Sequence, residues 1–226
     1  MIGLFSSLDR LGPGNAESLR WALGVAGIGV GATVLDAGCG TGADLGVLQA
    51  AVPQGRVIGL DAEPAFVARA QARFPRLRIE TGDMADPPGG PFDMIWSAGA
   101  VYNLGVTRAL TVWRDHLQPT GKVAFSDLRW RTEAPPEAAV AFWKADGVTV
   151  SSAEALEQEV VAAGYRVLGA RWLGTPGWAS YYGPLEVALD GFTGDPGVAE
   201  HLRAEIALWR THGVSYGYRL IVCEPV

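Results

Sequence analysis

The chain has 226 residues, 49% of them hydrophobic and 19% charged, with 18 Lys+Arg against 24 Asp+Glu for a formal charge of −6. That length and composition suit one globular domain, and an acidic balance with no Lys/Arg cluster argues against a nucleic-acid partner. The two cysteines, Cys39 and Cys223, form neither a CxxC pair nor a disulfide framework, which fits a reducing, cytoplasmic setting and argues against structural zinc; no metal site is expected.

Residues 1–10 lack the cationic start and apolar run of a signal peptide, and Ile2 excludes the myristoylation pattern. The longest uncharged stretch, residues 21–35, has 15 residues and is broken by Gly24, Gly27, Gly29 and Gly31. It falls short of the ~20 residues of a membrane span, so no membrane insertion is expected. Within it Leu19, Leu23 and Ala26 continue a helical spacing, the glycines end that helix, and residues 33–37 read as a short apolar strand. Residues 57–60 form a second strand, and Pro64 at a first helical position opens a helix through Phe66, Val67, Ala70 and Phe74. Residues 77–80, 92–97 and 123–127 give three more strands, with a helix over about 106–117 between the last two. Apolar strands separated by helices predict a parallel sheet covered on both faces.

Beyond residue 130 the rhythm changes. Pro135-Pro136 opens a helix through Phe142 and Trp143, and Ser151 with Glu154 fits a capping box for a helix that Gly164 closes. Residues 165–173 and 216–223 read as two further strands. Between them lie an aromatic segment, Trp178 to Tyr182, and helical stretches near 185–189 and 198–209. No internal repeat or low-complexity linker divides the chain.

The sharpest motif joins the first strand to the next helix: Asp36-Ala37-Gly38-Cys39-Gly40-Thr41-Gly42-Ala43-Asp44. Three alternate glycines let the backbone pass close to a ligand at a strand's carboxyl end, where such folds bind nucleotides. Gly38, Gly40 and Ala43 also satisfy the dinucleotide fingerprint, a weak signal by itself. Asp36, however, places a carboxylate where it would repel a pyrophosphate and hold an ammonium group. Asp61 ends the second strand at the position from which a carboxylate accepts from ribose hydroxyls. Asp83 ends the third, where it could accept from an adenine amino group while Met84 packs on the ring. Three acidic strand ends around one glycine turn favour an adenosine with a cationic tail.

With these motifs and the Leu117-Gln118-Pro119-Thr120-Gly121-Lys122 turn, residues 33–130 resemble a class I S-adenosylmethionine-dependent methyltransferase. Within that class the closer resemblance is to bacterial small-molecule enzymes of the ubiquinone/menaquinone-biosynthesis-like group (methyltransferase type 11), which also carry a counterpart of Gly12-Pro13-Gly14 and a late aromatic segment. The resemblance implies an α/β, Rossmann-like three-layer sandwich with a seven-stranded, mostly parallel sheet whose last strand, residues 216–223, is antiparallel. It implies one domain over 1–226 with substrate-side additions at about 1–20 and 130–190. It places Asp36, Gly38, Gly40 and Gly42, with Ala37, Cys39 and Thr41 between them, around the methionine part of S-adenosyl-L-methionine. Asp61 and Ala62 fall at the ribose, and Gly82, Asp83 and Met84 at the adenine. Ser97, Ala98 and Gly99 line the methionine side, and Gly12, Gly14 and Asn15 close over it. Asp44 departs from the pattern and reads as a cap of the following helix. Asp86-Pro87-Pro88 resembles the catalytic tetrapeptide of amino-methylating enzymes, but it precedes the fourth strand and reads as a turn.

Tyr102 and Asn103 follow the fourth strand, where this fold places reacting groups, and are candidates to orient the acceptor. Trp130, Trp143, Trp178, Tyr181 and Tyr182 are candidate pocket walls, with Trp96 and Trp172 also considered; core packing is the alternative for each. Gly177 and Gly183 flank Trp178 to Tyr182 in the manner of a hinged lid loop. His116, His201 and His212 lie away from strand ends, so no general base is named; aligning the acceptor with an activated donor carries much of such a transfer. Nothing near Cys39 suggests a thiolate nucleophile. The expected activity is methyl transfer from S-adenosyl-L-methionine, leaving S-adenosyl-L-homocysteine, to an O, N or C nucleophile of a small molecule. A homodimer is left open. The alternatives are an NAD(P)-dependent oxidoreductase, which lacks an evident Tyr-x-x-x-Lys pair, and a cofactor-binding protein without turnover.

Overall fold

A computed structural model describes residues 1–226. Strand β1 (Thr33–Ala37) lies at the centre of the sheet, parallel to β2 (Arg56–Asp61) on one side and β4 (Phe92–Ala98) on the other. β3 (Arg78–Thr81) extends the sheet beyond β2, and β5 (Leu117–Trp130) extends it beyond β4. β8 (Tyr216–Pro225) runs antiparallel to β5, and β7 (Tyr165–Trp172) antiparallel to β8. The order is β3-β2-β1-β4-β5-β8-β7, with the two-residue β6 (Ser151–Ser152) paired to β5. Seven full strands and the antiparallel last one match expectation; β6 is an addition.

Strand alternation sends neighbouring side chains to opposite faces. Val34, Val57, Met94 and Trp96 pack against α2 (Ala16–Ala26), α3 (Leu45–Ala51) and α4 (Pro64–Arg73). Leu35, Ile58, Ile95 and Phe125 pack against α5 (Val106–Arg114) and α7 (Ala153–Ala162). A third core gathers α1 (Ile2–Ser7), α6 (Glu137–Ala145), α8 (Thr175–Asp190) and α9 (Pro196–His212) around Leu128 of β5 and Tyr216 of β8. No helix is long and apolar enough to cross a membrane.

Four local expectations are corrected. The helix expected to reach residue 117 ends at Arg114, and β5 begins at Leu117. Phe92 pairs with Leu117 but Met94 with Lys122, so the Pro119-Thr120-Gly121 turn is a bulge within the strand rather than a separate connection. Ser152, not Ser151, caps α7, its hydroxyl accepting from Ala155 N at 3.1 Å, while the Ser151 hydroxyl accepts from Arg129 of β5. The Trp178 to Tyr182 segment is not a hinged loop: it lies inside α8, whose buried Trp178, Tyr181, Tyr182, Leu185 and Leu189 fall on one helical face.

Candidate functional site

The strand order reverses between β1 and β4, and ligands bind beyond the carboxyl ends of strands at such a switch point. A cleft of about 700 Å³ opens there, within the ~300–1,000 Å³ range of ligand pockets. Its floor is the turn after β1. Gly38 and Gly40 have φ of +79° and +53°, left-handed values that favour glycine. A Cβ on Gly38 would collide with Ala100, so the turn also needs glycine to lie against the end of β4. Gly38 N and Cys39 N donate to Leu60 O at 2.8 and 3.0 Å, tying the turn to β2.

Asp61, at the end of β2, accepts from Gly40 N at 2.8 Å through Oδ2 and from Glu63 N at 2.9 Å through Oδ1. A carboxylate oxygen has a second lone pair, and Asp61 lines the cleft. Burial raises its pKa, and the Glu63 and Gly40 N–H groups oppose that rise. Asp36 is 3% exposed and its carboxyl is held well above the usual range, first by burial and then by the neighbouring charges of Asp44 and Asp61, with Arg10 acting against them. Asp83 lies on the far wall, where Oδ1 accepts from Ala85 N at 2.8 Å.

Most of the expected residues come together. Gly12, Asp36, Gly38, Cys39, Gly40, Thr41, Asp61, Ala62, Gly82, Asp83, Met84, Ala98 and Gly99 all line the cleft, as do Tyr102 and Asn103. Tyr102 is 61% exposed, and Asn103 Nδ2 donates to Ala100 O at 2.9 Å, so one side of its amide is committed to the local turn. Cys39 is a free, buried thiol whose pKa burial pushes up, the opposite of an activated nucleophile.

Five expected cofactor residues do not line it. Ala37 is buried in the core beneath α5 and α7. Gly42 packs instead against Leu45 of α3, Ala70 of α4 and Phe74 just beyond it. Ser97 is fully buried, on the side of β4 shared with Ile95, and its hydroxyl has no partner. Asn15 caps α2, its side chain accepting from Ser18 N at 2.8 Å. Gly14 docks on α8, donating to Gly177 O at 2.9 Å. The aromatic candidates are corrected as a group. Trp130, Trp143, Trp178, Tyr181 and Tyr182 belong to the third core, where Trp178 stacks on Trp209 at 5.7 Å and Trp143 meets Tyr216 edge-on at 5.5 Å. None of them lines the cleft, nor do Trp96, Trp172 or the three histidines. His201 instead stacks on Phe142 at 5.1 Å.

The structure adds residues that sequence reading missed. Arg10, Leu11, Asp44, Glu63, Phe66 and Arg108 line the cleft, with Met1, Ile2 and Phe5 of α1 at its edge. Asp44 makes no cap bond; it pairs with Arg10 and accepts from Trp96 Nε1 at 2.9 Å. Its departure from the family pattern was the one available signal. Arg10 gave none, because its partner lies 34 positions away.

This sheet order, with a glycine turn and carboxylates at the ends of β1 and β2 facing one cleft, defines a class I methyltransferase fold. Residues 34–121 match the family model described as a methyltransferase domain. Trans-aconitate 2-methyltransferase of Deinococcus radiodurans is 40% identical over 95 residues, covering 41% of this chain and 36% of that protein. The matched stretch thus spans about a third of the curated relatives' length. Among solved structures, a SAM-dependent methyltransferase of Geobacter sulfurreducens in complex with S-adenosyl-L-homocysteine superimposes with a TM-score of 0.80 at 19% identity, covering 100% of this chain and 98% of that one. A SAM-dependent methyltransferase of Thiobacillus denitrificans, also with S-adenosyl-L-homocysteine, gives 0.79 at 20% identity, covering 99% and 97%.

Proposed function

We propose that this chain binds S-adenosyl-L-methionine in the cleft and transfers its methyl group to a small-molecule acceptor. The observation that carries the reading is the acidic floor: Asp36 is buried at the glycine turn beside Asp44 and Asp61, where a dinucleotide would bring its pyrophosphate. The donor set fits the cofactor. Asp61 offers two lone pairs to ribose hydroxyls, Asp36 faces an ammonium group, and Asp83 with Met84 stands at the adenine edge. The cofactor supplies an activated methyl on a sulfonium. The chain's own work is to hold acceptor and donor in line beside Gly99, with Tyr102 and Asn103 at the acceptor side, and to keep water out with α1.

The domain reading follows the same lines: one methyltransferase unit over 1–226, with the N-terminal segment and the 130–190 region as substrate-side additions. The curated relatives' acceptor suggests a small organic molecule, and the free, buried thiols of Cys39 and Cys223 support a cytoplasmic setting.

Isothermal titration with S-adenosyl-L-homocysteine and with NADH tests the cofactor, and transfer of a labelled methyl group to an acceptor panel tests the chemistry. Asp61→Ala is expected to weaken S-adenosyl-L-homocysteine binding by about 1–3 kcal/mol, since it removes the partner of two hydroxyls and releases Gly40 N. Unchanged affinity would remove Asp61 from the ribose site.

A further inference from the structure

Asp44 stands at the N-cap position of α3 and makes no cap bond. Its carboxylate is clamped instead between two groups brought from distant parts of the chain. Trp96 Nε1 of β4 donates to Oδ2 at 2.9 Å, and Arg10 Nη2 donates to Oδ1. The side chains of Arg10 and Asp44 are only 14% and 6% exposed, and Trp96 is buried. Placing an ion pair under this much cover costs desolvation that a helix cap would not require. A guanidinium also carries five N–H donors in a rigid plane, and Asp44 engages only the Nη2 end. Arg10 also lines the cleft, together with Asp36.

Gly14 gives a second, independent sign. A Cβ there would lie 2.6 Å from Arg10 Nη1, so the backbone of the Gly12-Pro13-Gly14 segment leaves room for the guanidinium. This accounts for a glycine that does not line the cleft itself. The other cation in the lining, Arg108, is exposed on α5 and has no such seat.

We propose that Arg10 is the residue by which the cleft recognises a ligand's carboxylate, and that Asp44 and Trp96 are positioning residues that fix its guanidinium. The proposal rests on the cofactor reading and deepens it. An amino-acid tail would set its carboxylate on Arg10 and its ammonium toward Asp36, so both buried charges gain a counterpart. A nucleoside without that tail would leave them unmatched. Arg10, Asp44 and Trp96 therefore select for the tail, while Asp61 and Asp83 serve the nucleoside.

The test is calorimetric binding of two probes to the full chain: S-adenosyl-L-homocysteine, and 5′-methylthioadenosine, which keeps the nucleoside and sulfur but lacks the amino-acid group. Arg10→Gln and Trp96→Phe are each expected to weaken S-adenosyl-L-homocysteine by about tenfold or more while leaving 5′-methylthioadenosine within about twofold, the scale of a lost charge-assisted hydrogen bond. Arg10→Lys is expected to recover part of the preference. Parallel loss of both probes would assign the three residues to the fold, and unchanged S-adenosyl-L-homocysteine affinity would remove Arg10 from ligand recognition; either result overturns the proposal. If the unmutated chain binds neither probe, the cofactor reading itself fails, a result distinct from both.

Discussion

Asp36 shows how a single residue can be costly to the fold and, on the proposed function, needed by the site. Its carboxyl is buried, with Asp44 and Asp61 adding to the cost of ionising it and Arg10 offsetting part. The folded-state pKa lies above the unfolded one, so this group's contribution is fully present only below the unfolded pKa and is lost as pH rises through the folded value. Asp36→Asn removes that loss. The variant is expected to be more stable near neutral pH by about 1–2 kcal/mol, or about 2–8 °C in melting temperature for a chain of this size, with the gap widening from acid toward neutral pH. Thermal melts at several pH values check the sign. The same variant is expected to bind S-adenosyl-L-homocysteine more weakly. An Asp36→Asn protein no more stable than its parent at neutral pH would mean that the carboxylate makes a net favourable contact in the empty cleft.

At the scale of elements, α8 carries the main revision. Gly177 and Gly183, which flank the aromatic segment within it, suggested a hinged lid loop, yet the spacing of Trp178, Tyr181, Tyr182, Leu185 and Leu189 is that of one buried helical face. Trp178 is 3% exposed and packs on Tyr182, Trp209, Tyr216 and Tyr218. Tyr182 donates to Glu205 of α9 at 2.7 Å, and burial raises the pKa of both. Trp178→Ala is therefore expected to cost about 3–5 kcal/mol of folding stability through the cavity it leaves, read by denaturant unfolding. A merely catalytic effect with unchanged stability would restore the lid reading. α8 still bears on the cleft, indirectly: Gly177 O holds Gly14, and Gly14 lies beside Arg10.

Across the whole molecule, two cores cover the sheet's faces and the third caps the carboxyl end of its β5–β8 side, leaving the switch point between β1 and β4 as the open cleft. A ligand that joins the turn after β1 to the ends of β2 and β4 binds only the folded chain, so it must stabilise it. At a free concentration of about 100 times Kd, S-adenosyl-L-homocysteine is expected to add ~2.7 kcal/mol, or about 5–11 °C in melting temperature. NADH at the same concentration is expected to add nothing. Equal stabilisation by NADH would favour the oxidoreductase alternative.

The sequence by itself determined the sheet and the glycine turn and strand-end carboxylates that line the cleft. Continuous apolar strands, the glycines at 38 and 40, and the acidic ends of the first three strands are all local signals, each set by the chemistry of a few adjacent residues. Tertiary structure decided what depended on distant partners. Asp44 could be read as a helix cap until Arg10 and Trp96 were found on its carboxylate, and Gly14 and Asn15 could be placed over the cofactor until one met α8 and the other capped α2. The aromatic residues illustrate the same limit, because composition cannot tell a pocket wall from a core and only packing distinguishes them. A strand end points its side chain by the period of the backbone, whereas a buried charge is placed by whichever opposite charge the fold brings to it.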